Sequence, residues 1–316
     1  MNEEQTSLEC HTNSPTYLSR ALKSFLEELG SVSAFRSLLQ RLIIDIDARL
    51  SAQMCVVIEE ESFASLEGAW RGVDLVTQEL GDAKQCKVKL LDLAWDELAR
   101  DLNSRSNMHD SLLYRKVGMG ELETAGGQPF GILMVNYGLS LSVENDYDDL
   151  FTAQLLCDLG EVCLCPVIMS VSSDFFGETD AAWMTDVRRL ESILNSADYL
   201  AWQNLRSRAN ARFLGLCWPK VLVRQPYREK EVGFRFNQKY SQSSGLWINA
   251  SFAFLVTILA EYKSSAWFGF LKRIGDEPGT GSVLKRSIIS GGRVRVSLGL
   301  GKFLSEQGLI PLCEST

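Results

Sequence analysis

The chain has 316 residues, 46% hydrophobic and 23% charged, enough to bury one large core or two moderate ones. Its formal net charge of −8 argues against a nucleic-acid surface, which needs Lys and Arg in excess to neutralise phosphates. The longest apolar run, Ile248 to Ala260, is too short to span a bilayer and carries Asn249, so no membrane insertion is expected.

Met1-Asn2-Glu3-Glu4 is acidic and polar, unlike a secretory leader, and eight irregularly spaced cysteines, with Cys55, Cys157 and Cys217 in apolar segments, suit a reducing compartment. The expected location is the cytoplasm. Ser14-Pro15 signals a helix start, and Tyr17, Leu18, Leu22, Phe25 and Leu29 then recur at helical spacing up to Gly30. Phe35, Leu38, Leu39, Leu42, Ile43, Ile46, Leu50 and Met54 predict a longer helix, and Phe63 through Leu80, closed by Gly81, a third.

The pattern then changes. Lys87 to Leu90 alternates as a half-exposed strand, while Phe130–Tyr137 and Cys163–Val171 have the apolar character of strands buried on both faces. Helices are expected near 107–118, 146–160, 184–195 and 197–208, the last opened by Ser196, and a strand over Arg212–Trp218. Ile248 to Ala260 reads as a buried helix. Beyond Leu271, Gly275, Gly279, Gly281, Gly291 and Gly292 break the order, leaving strand-like pieces at Arg293–Leu298 and Leu309–Leu312. The expected fold class is α/β: N-terminal helices, then a layered mixed sheet flanked by helices, then an irregular Gly-rich C-terminal part. The expected divisions are 1–30 (polar segment and helix), 31–270 (α/β body) and 271–316 (a partial second domain).

Little in the chain carries catalysis. The two histidines, His11 and His109, stand in the polar start and at a helix start. Cys157, Cys163 and Cys165 lack paired metal-ligand spacing. Gly275 to Ser282 lacks the Lys of a phosphate-cradling loop, and Arg295-Val296-Ser297-Leu298-Gly299 lacks the first glycine of a nucleophile elbow. Asp146, Asp148 and Asp149 are explained by a helix N-terminus attracting acidic residues. No catalytic residue, cofactor or metal site is assigned; a phosphate site at Gly126-Gly127 or Gly275–Gly281 is the enzymatic alternative. Arg188, Arg189, Arg206, Arg208, Arg212 and Arg224 gather in one basic stretch with Trp202, the residue types that dominate protein–protein contacts. Trp70, Arg71, Trp202, Arg206, Arg212, Arg224 and Trp247 are the candidate interface residues.

Several segments are familiar in order. Leu50-Ser51-Ala52-Gln53, Leu66-Glu67-Gly68-Ala69-Trp70-Arg71-Gly72, Gly126-Gly127-Gln128-Pro129-Phe130-Gly131 and Phe175-Phe176-Gly177 come first. Then follow Tyr199 to Arg212 with Trp202, Leu205-Arg206 and Ala211-Arg212, Leu222 to Tyr227, Gly233 to Phe236, Leu246 to Ala250 and Leu304 to Leu312. Together they resemble the large subunit of the type VI secretion contractile sheath, whose segments run "LSAQ", "WRGL", "GGEPYG", "FFG", "Y-x-x-W-x-x-[FL]R-x-x-x-x-AR", "FRFEE", "LWGNA" and "LSE-x-GFIPL".

The resemblance implies a structural subunit that pairs with a small sheath subunit and with other large subunits around inner-tube hexamers. A disassembly ATPase recognises a short N-terminal helix in that family, which makes Leu18, Leu22 and Phe25 the candidates by position. The family's strands beyond this point are missing from the given sequence, and its "GGGLVE" stands here only as Gly279-Thr280-Gly281-Ser282-Val283-Leu284. The expectation is thus a shortened relative, with a nonpolymerising paralogue that regulates sheath components as the alternative.

Overall fold

The computed structural model describes residues 31–83, 86–141, 147–177, 183–228, 245–266 and 292–314, with 23–24, 236, 238 and 283–284. Leu18, Leu22 and Phe25 lie outside the described residues. The chain forms two compact units, Met1–Glu59 with Tyr227–Lys239, and Glu60–Pro226 with Tyr240–Thr316.

In the first unit one helix dominates, α1 (Val32–Ile58), capped by Ser31, whose side chain accepts from the Ala34 N–H at 3.2 Å. Its far end is tied down by Gln238, which is buried. The Gln238 amide donates to Glu59 at 3.1 Å, and its carbonyl accepts from the Tyr227 N–H at 3.2 Å.

The second unit is built on a parallel sheet of strand order β1-β2-β3-β7: β1 (Leu133–Leu139), β2 (Val167–Val171), β3 (Leu214–Trp218) and β7 (Leu309–Pro311). Side chains alternate across the pleat, so β2 and β3 supply two cores at once. Val167, Met169, Val171, Leu216 and Trp218 enter a core with helices α4 (Asp149–Cys163), α5 (Val187–Leu194), α6 (Leu200–Ser207) and α8 (Leu298–Glu306). Ile168 and Cys217 face the other way, into a core with α2 (Glu61–Leu80) and α7 (Ala250–Ser265). Double-sided burial is the reason these strands read as unbroken apolar runs. An antiparallel pair, β4 (Val221–Arg224) with β5 (Leu246–Ile248), joins the second core, and β6 (Val283–Leu284) pairs with β8 (Cys313–Glu314). The α/β class expected from the sequence is the one observed.

Four local readings change. The strand expected over Phe130–Tyr137 with both faces buried is β1, Leu133–Leu139 at the sheet's edge, where only Leu139 is buried and Asn136 is exposed. The run Cys163–Val171 is not one strand: α4 continues through Cys163, Leu164 turns it off in the left-handed region at φ 52°, and β2 starts at Val167. Lys87 to Leu90 joins no ladder, and its alternation comes instead from side-chain anchoring, Lys87 to Gln128 at 2.9 Å and Lys89 to Glu121. Around Arg293–Leu298 the chain makes a single bridge at Gly292 and then enters α8, capped by Ser297. Gly299 and Gly301 count against a helix by propensity, but burial of Leu300 and Leu304 outweighs that cost.

Two contacts fix how the helices meet the sheet. Asp148 caps α4, accepting from the Leu150 N–H at 2.9 Å and the Phe151 N–H at 3.3 Å, as the acidic cluster predicts. Asp149 does something else. It is buried, and accepts from Trp95 Nε1 at 2.9 Å, Tyr137 Oη at 3.1 Å and the Ser140 N–H at 3.0 Å, joining β1 and α4 to helix α3 (Trp95–Asn103). The Trp95 and Tyr137 rings stack above it with centroids 4.1 Å apart. Burial raises the Asp149 carboxyl above its usual range, against the pull of its three donors. On the other side of the sheet, α2 approaches α7 through Gly72, where a Cβ would meet the Phe252 ring at 2.6 Å.

Replacing Asp149 with Ala removes the acceptor shared by Trp95, Tyr137 and the Ser140 N–H and is expected to cost about 3 kcal/mol in a urea melt. Gly72→Ala, which in an ordinary helix stabilises by up to about 1 kcal/mol, is expected here to destabilise by about 1–3 kcal/mol through the Phe252 clash. A thermal melt that rises for Gly72→Ala contradicts the close packing.

Candidate assembly surface

Helix α2 has two unlike faces. At 100° per residue, Gly68, Gly72, Leu75 and Val76 share the buried side, and Phe63, Leu66 and Trp70 share the opposite one. Those three are 42%, 58% and 64% exposed, an apolar ridge one aromatic ring wide at each end. Arg71 flanks it and donates through Nε to Glu67 at 2.7 Å.

Arg224 of β4 meets the same carboxylate from the interior. Arg224 is 9% exposed, and its guanidinium forks onto Glu67, Nε to Oε1 at 2.8 Å and a terminal nitrogen to Oε2 at 3.1 Å. Of the candidate interface residues, Arg224 is therefore spent on locking α2 to β4. Burial alone raises the Glu67 carboxyl, but the hydrogen bonds from Arg224 and Arg71 outweigh it and hold its pKa below the ordinary value.

Trp202 is likewise interior, 3% exposed, with its ring 5.4 Å from Phe175 in an edge-to-face contact. Arg206 donates to the Gln307 side chain at 2.8 Å and to the Glu306 carbonyl at 2.5 Å, and it crosses Gly308 so closely that a Cβ there would meet Nε at 3.0 Å. Arg212 lies over the Phe213 ring at 5.3 Å. Trp247, on β5, is half-buried, and its Nε1 has no acceptor among the described residues. Trp202, Arg206 and Arg212 do converge: with Leu205, Arg208 and Leu214 they line an open cavity of about 360 Å³.

The largest exposed apolar feature among the described residues belongs to the first unit. Leu39, Leu42, Ile43, Ile46, Leu50 and Met54 of α1 are 37–54% exposed and fall within one stripe. Their helical period is plain in the sequence, yet periodicity cannot tell a helix that faces its own core from one that faces another chain. His109, the described histidine, packs against the Tyr114 ring at 4.6 Å. No group of three or more His, Cys, Asp or Glu able to hold a metal occurs among the described residues, nor any helix long and apolar enough to cross a membrane.

Stability is expected to carry the signature of the Glu67 fork. With the folded pKa depressed, its contribution is complete above the unfolded carboxyl value of about 4.3 and is lost as pH falls through the folded one. Glu67→Gln is expected to lower stability at pH 7 by about 3 kcal/mol, to flatten this part of the acid limb, and to exceed Arg71→Met several-fold, because Arg71 is the more exposed partner. Equal losses for the two variants contradict the assignment.

Comparison with known proteins finds similarity over most of the chain. Residues 40–316 match the family described as "EvpB/VC_A0108, tail sheath N-terminal domain". The type VI secretion system sheath protein TssC1 of Pseudomonas aeruginosa is 26% identical over 255 residues, covering 77% of this chain and 50% of TssC1. The chain thus spans about half the length of the curated relative it matches. With the family match running over most of its length, the chain belongs to the tail sheath N-terminal domain family and is a relative of the type VI secretion sheath large subunit.

Proposed function

We propose that the chain is a structural subunit of a type VI secretion contractile sheath, working by assembly and not by catalysis. The observation that carries this reading is the stripe of α1. The stripe from Leu39 to Met54 runs about 22 Å along this 27-residue helix, and an apolar seam of that length left in water is costly unless another chain covers it. Its spacing of three and four residues is that of a helix packed along a partner helix or set in an apolar groove. The small sheath subunit is the partner proposed for the seam. The α2 ridge of Phe63, Leu66 and Trp70, with Arg71 beside it, is proposed as a second contact, to that subunit or to a neighbouring large subunit.

The inner-tube hexamers and the disassembly ATPase belong to the same proposal. They are supported by the resemblance and the family, and recognition through Leu18, Leu22 and Phe25 rests on position alone. The cytoplasm is the proposed location, as it is where the sheath family's tube and ATPase act. A nonpolymerising relative that binds the small subunit remains the second reading, and the two part company at the level of assembled particles.

Co-expression with the small sheath subunit tests pairing. A double change, Leu42→Asp with Ile46→Asp, is expected to reduce co-purification at least tenfold while leaving the thermal melt almost unmoved, because exposed positions contribute little to folding. Undiminished capture of the double variant, or no capture of the wild type, contradicts the proposal.

A further inference from the structure

The cavity beneath α6 has an imbalance that the fold does not resolve. Arg206, Arg208 and Arg212 all line it, with no carboxylate among the lining residues. Arg206 is held by neutral acceptors, Gln307 and the Glu306 carbonyl, and Arg212 has an aromatic ring and no ion pair among the described residues. Among the described residues only Arg208 of the three reaches an acid, Asp158, at 3.4 Å. Between the guanidinium groups the wall is apolar, from Trp202, Leu205 and Leu214. Trp202 Nε1 is buried with no acceptor among the described residues, adding a further unused donor to this wall. A volume of about 360 Å³ falls in the range of sites that hold a small group (roughly 300–1,000 Å³). Such a wall selects a carboxylate carried between apolar side chains, since guanidinium and carboxylate match in charge and planar geometry.

The same chain carries that group elsewhere. Residues 86–94 form no helix or strand, and Leu90, Leu91 and Leu93 project with exposures of 64%, 53% and 40% around an exposed Asp92. The arm is fixed at both ends. Lys87 holds Gln128, Lys89 pairs with Glu121 and sits 5.1 Å from the Phe130 ring centre, and α3 begins at Trp95 with the Ala94 N–H donating to Glu97 at 3.1 Å. Three leucines and an acid are thus presented in a set geometry, so little ordering entropy opposes docking.

We propose that the Leu91-Asp92-Leu93 arm of one copy seats in the arginine-lined cavity of the next, with Asp92 between Arg206 and Arg212. The anchors of the arm, Gln128 and Phe130, lead into β1, the edge strand on one side of the sheet, whereas Leu214 and Gly308 of the cavity open β3 and β7 toward the other edge. Three strand spacings, on the order of 14 Å, separate those edges. The contact is therefore head-to-tail between copies. Two different patches meet, and a contact of that kind propagates into a ring or a helical array instead of closing as a dimer. It rests on the reading of the chain as an assembling subunit and specifies one way like subunits join. A chain with net charge −8 that places Arg206 and Arg212, without ion pairs among the described residues, in a concave site is suited to capture an acidic surface of its own kind.

Sedimentation velocity of the full chain, alone and bound to the small sheath subunit, provides the test. Self-association is expected to grow with concentration and to weaken in high salt. Asp92→Arg and Arg212→Glu are each expected to weaken it at least tenfold while leaving small-subunit binding intact. Mixing the two variants is expected to restore it, because the exchanged charges pair across the joint. Association unchanged in either variant, failure of the mixture to recover, or a wild-type chain that stays monomeric in both settings overturns the head-to-tail contact. Loss of small-subunit binding by the wild type counts against the proposed function instead, and the self-association of the chain alone still reads this one.

Discussion

Every side chain of β2 is buried, and so are Leu216, Cys217 and Trp218 of β3. Val167, Met169, Val171, Leu216 and Trp218 point into one core and Ile168 and Cys217 into the other, so both faces of the sheet must be covered before either strand is stable. The covering layers are chosen by that demand. On one side α4, α5, α6 and α8 close over the sheet, and on the other α7 fits with α2 behind it. At about 25 cal/mol per Å² of apolar surface removed from water, this two-sided burial is the main source of stabilisation in the unit. Polar side chains then set geometry: Asp149 holds α3 and α4 to β1, and Glu67 holds α2 to Arg224 of β4.

Once those faces are satisfied, what is left apolar has no internal use. The ridge Phe63, Leu66 and Trp70 stands on α2 because the other side of that helix is already committed to Phe252 and Ile248 through Gly72 and Gly68. The α1 stripe is larger, and it carries no buried residue before Ile58. A chain that fills a core on each face of its four-stranded sheet and still displays such surfaces suits a part of a larger assembly, in accord with its place in the tail sheath family.

Much of this was legible in the residues, and the failures are instructive. The α1 and α2 helices followed from apolar period and length, α7 from a long apolar run, and β2 from an apolar run that burial on both sides leaves without alternation. The turn at Leu164 was not legible, since a leucine in the left-handed region is a tertiary compromise that no propensity announces. Nor was α8, where Gly299 and Gly301 masked a helix held by Leu300 and Leu304. Among the candidate interface residues, Arg and Trp identities were informative about importance but not about direction. Trp70 faces outward, Trp202 and Arg224 are interior, and only long-range contacts such as Glu67 with Arg224, 157 positions apart, decide which. The ordered motifs identified the family without any of that geometry.

The central claim is that α1 exists to be covered by another chain. Hydrogen exchange measured on the chain alone and on its complex with the small sheath subunit addresses it most directly. The account predicts that amides over Leu39–Met54 exchange quickly in the free chain and become at least tenfold slower in the complex, with the β2 and β3 amides already protected in both. Equal exchange of the α1 amides in the two samples, with complex formation verified, would contradict it.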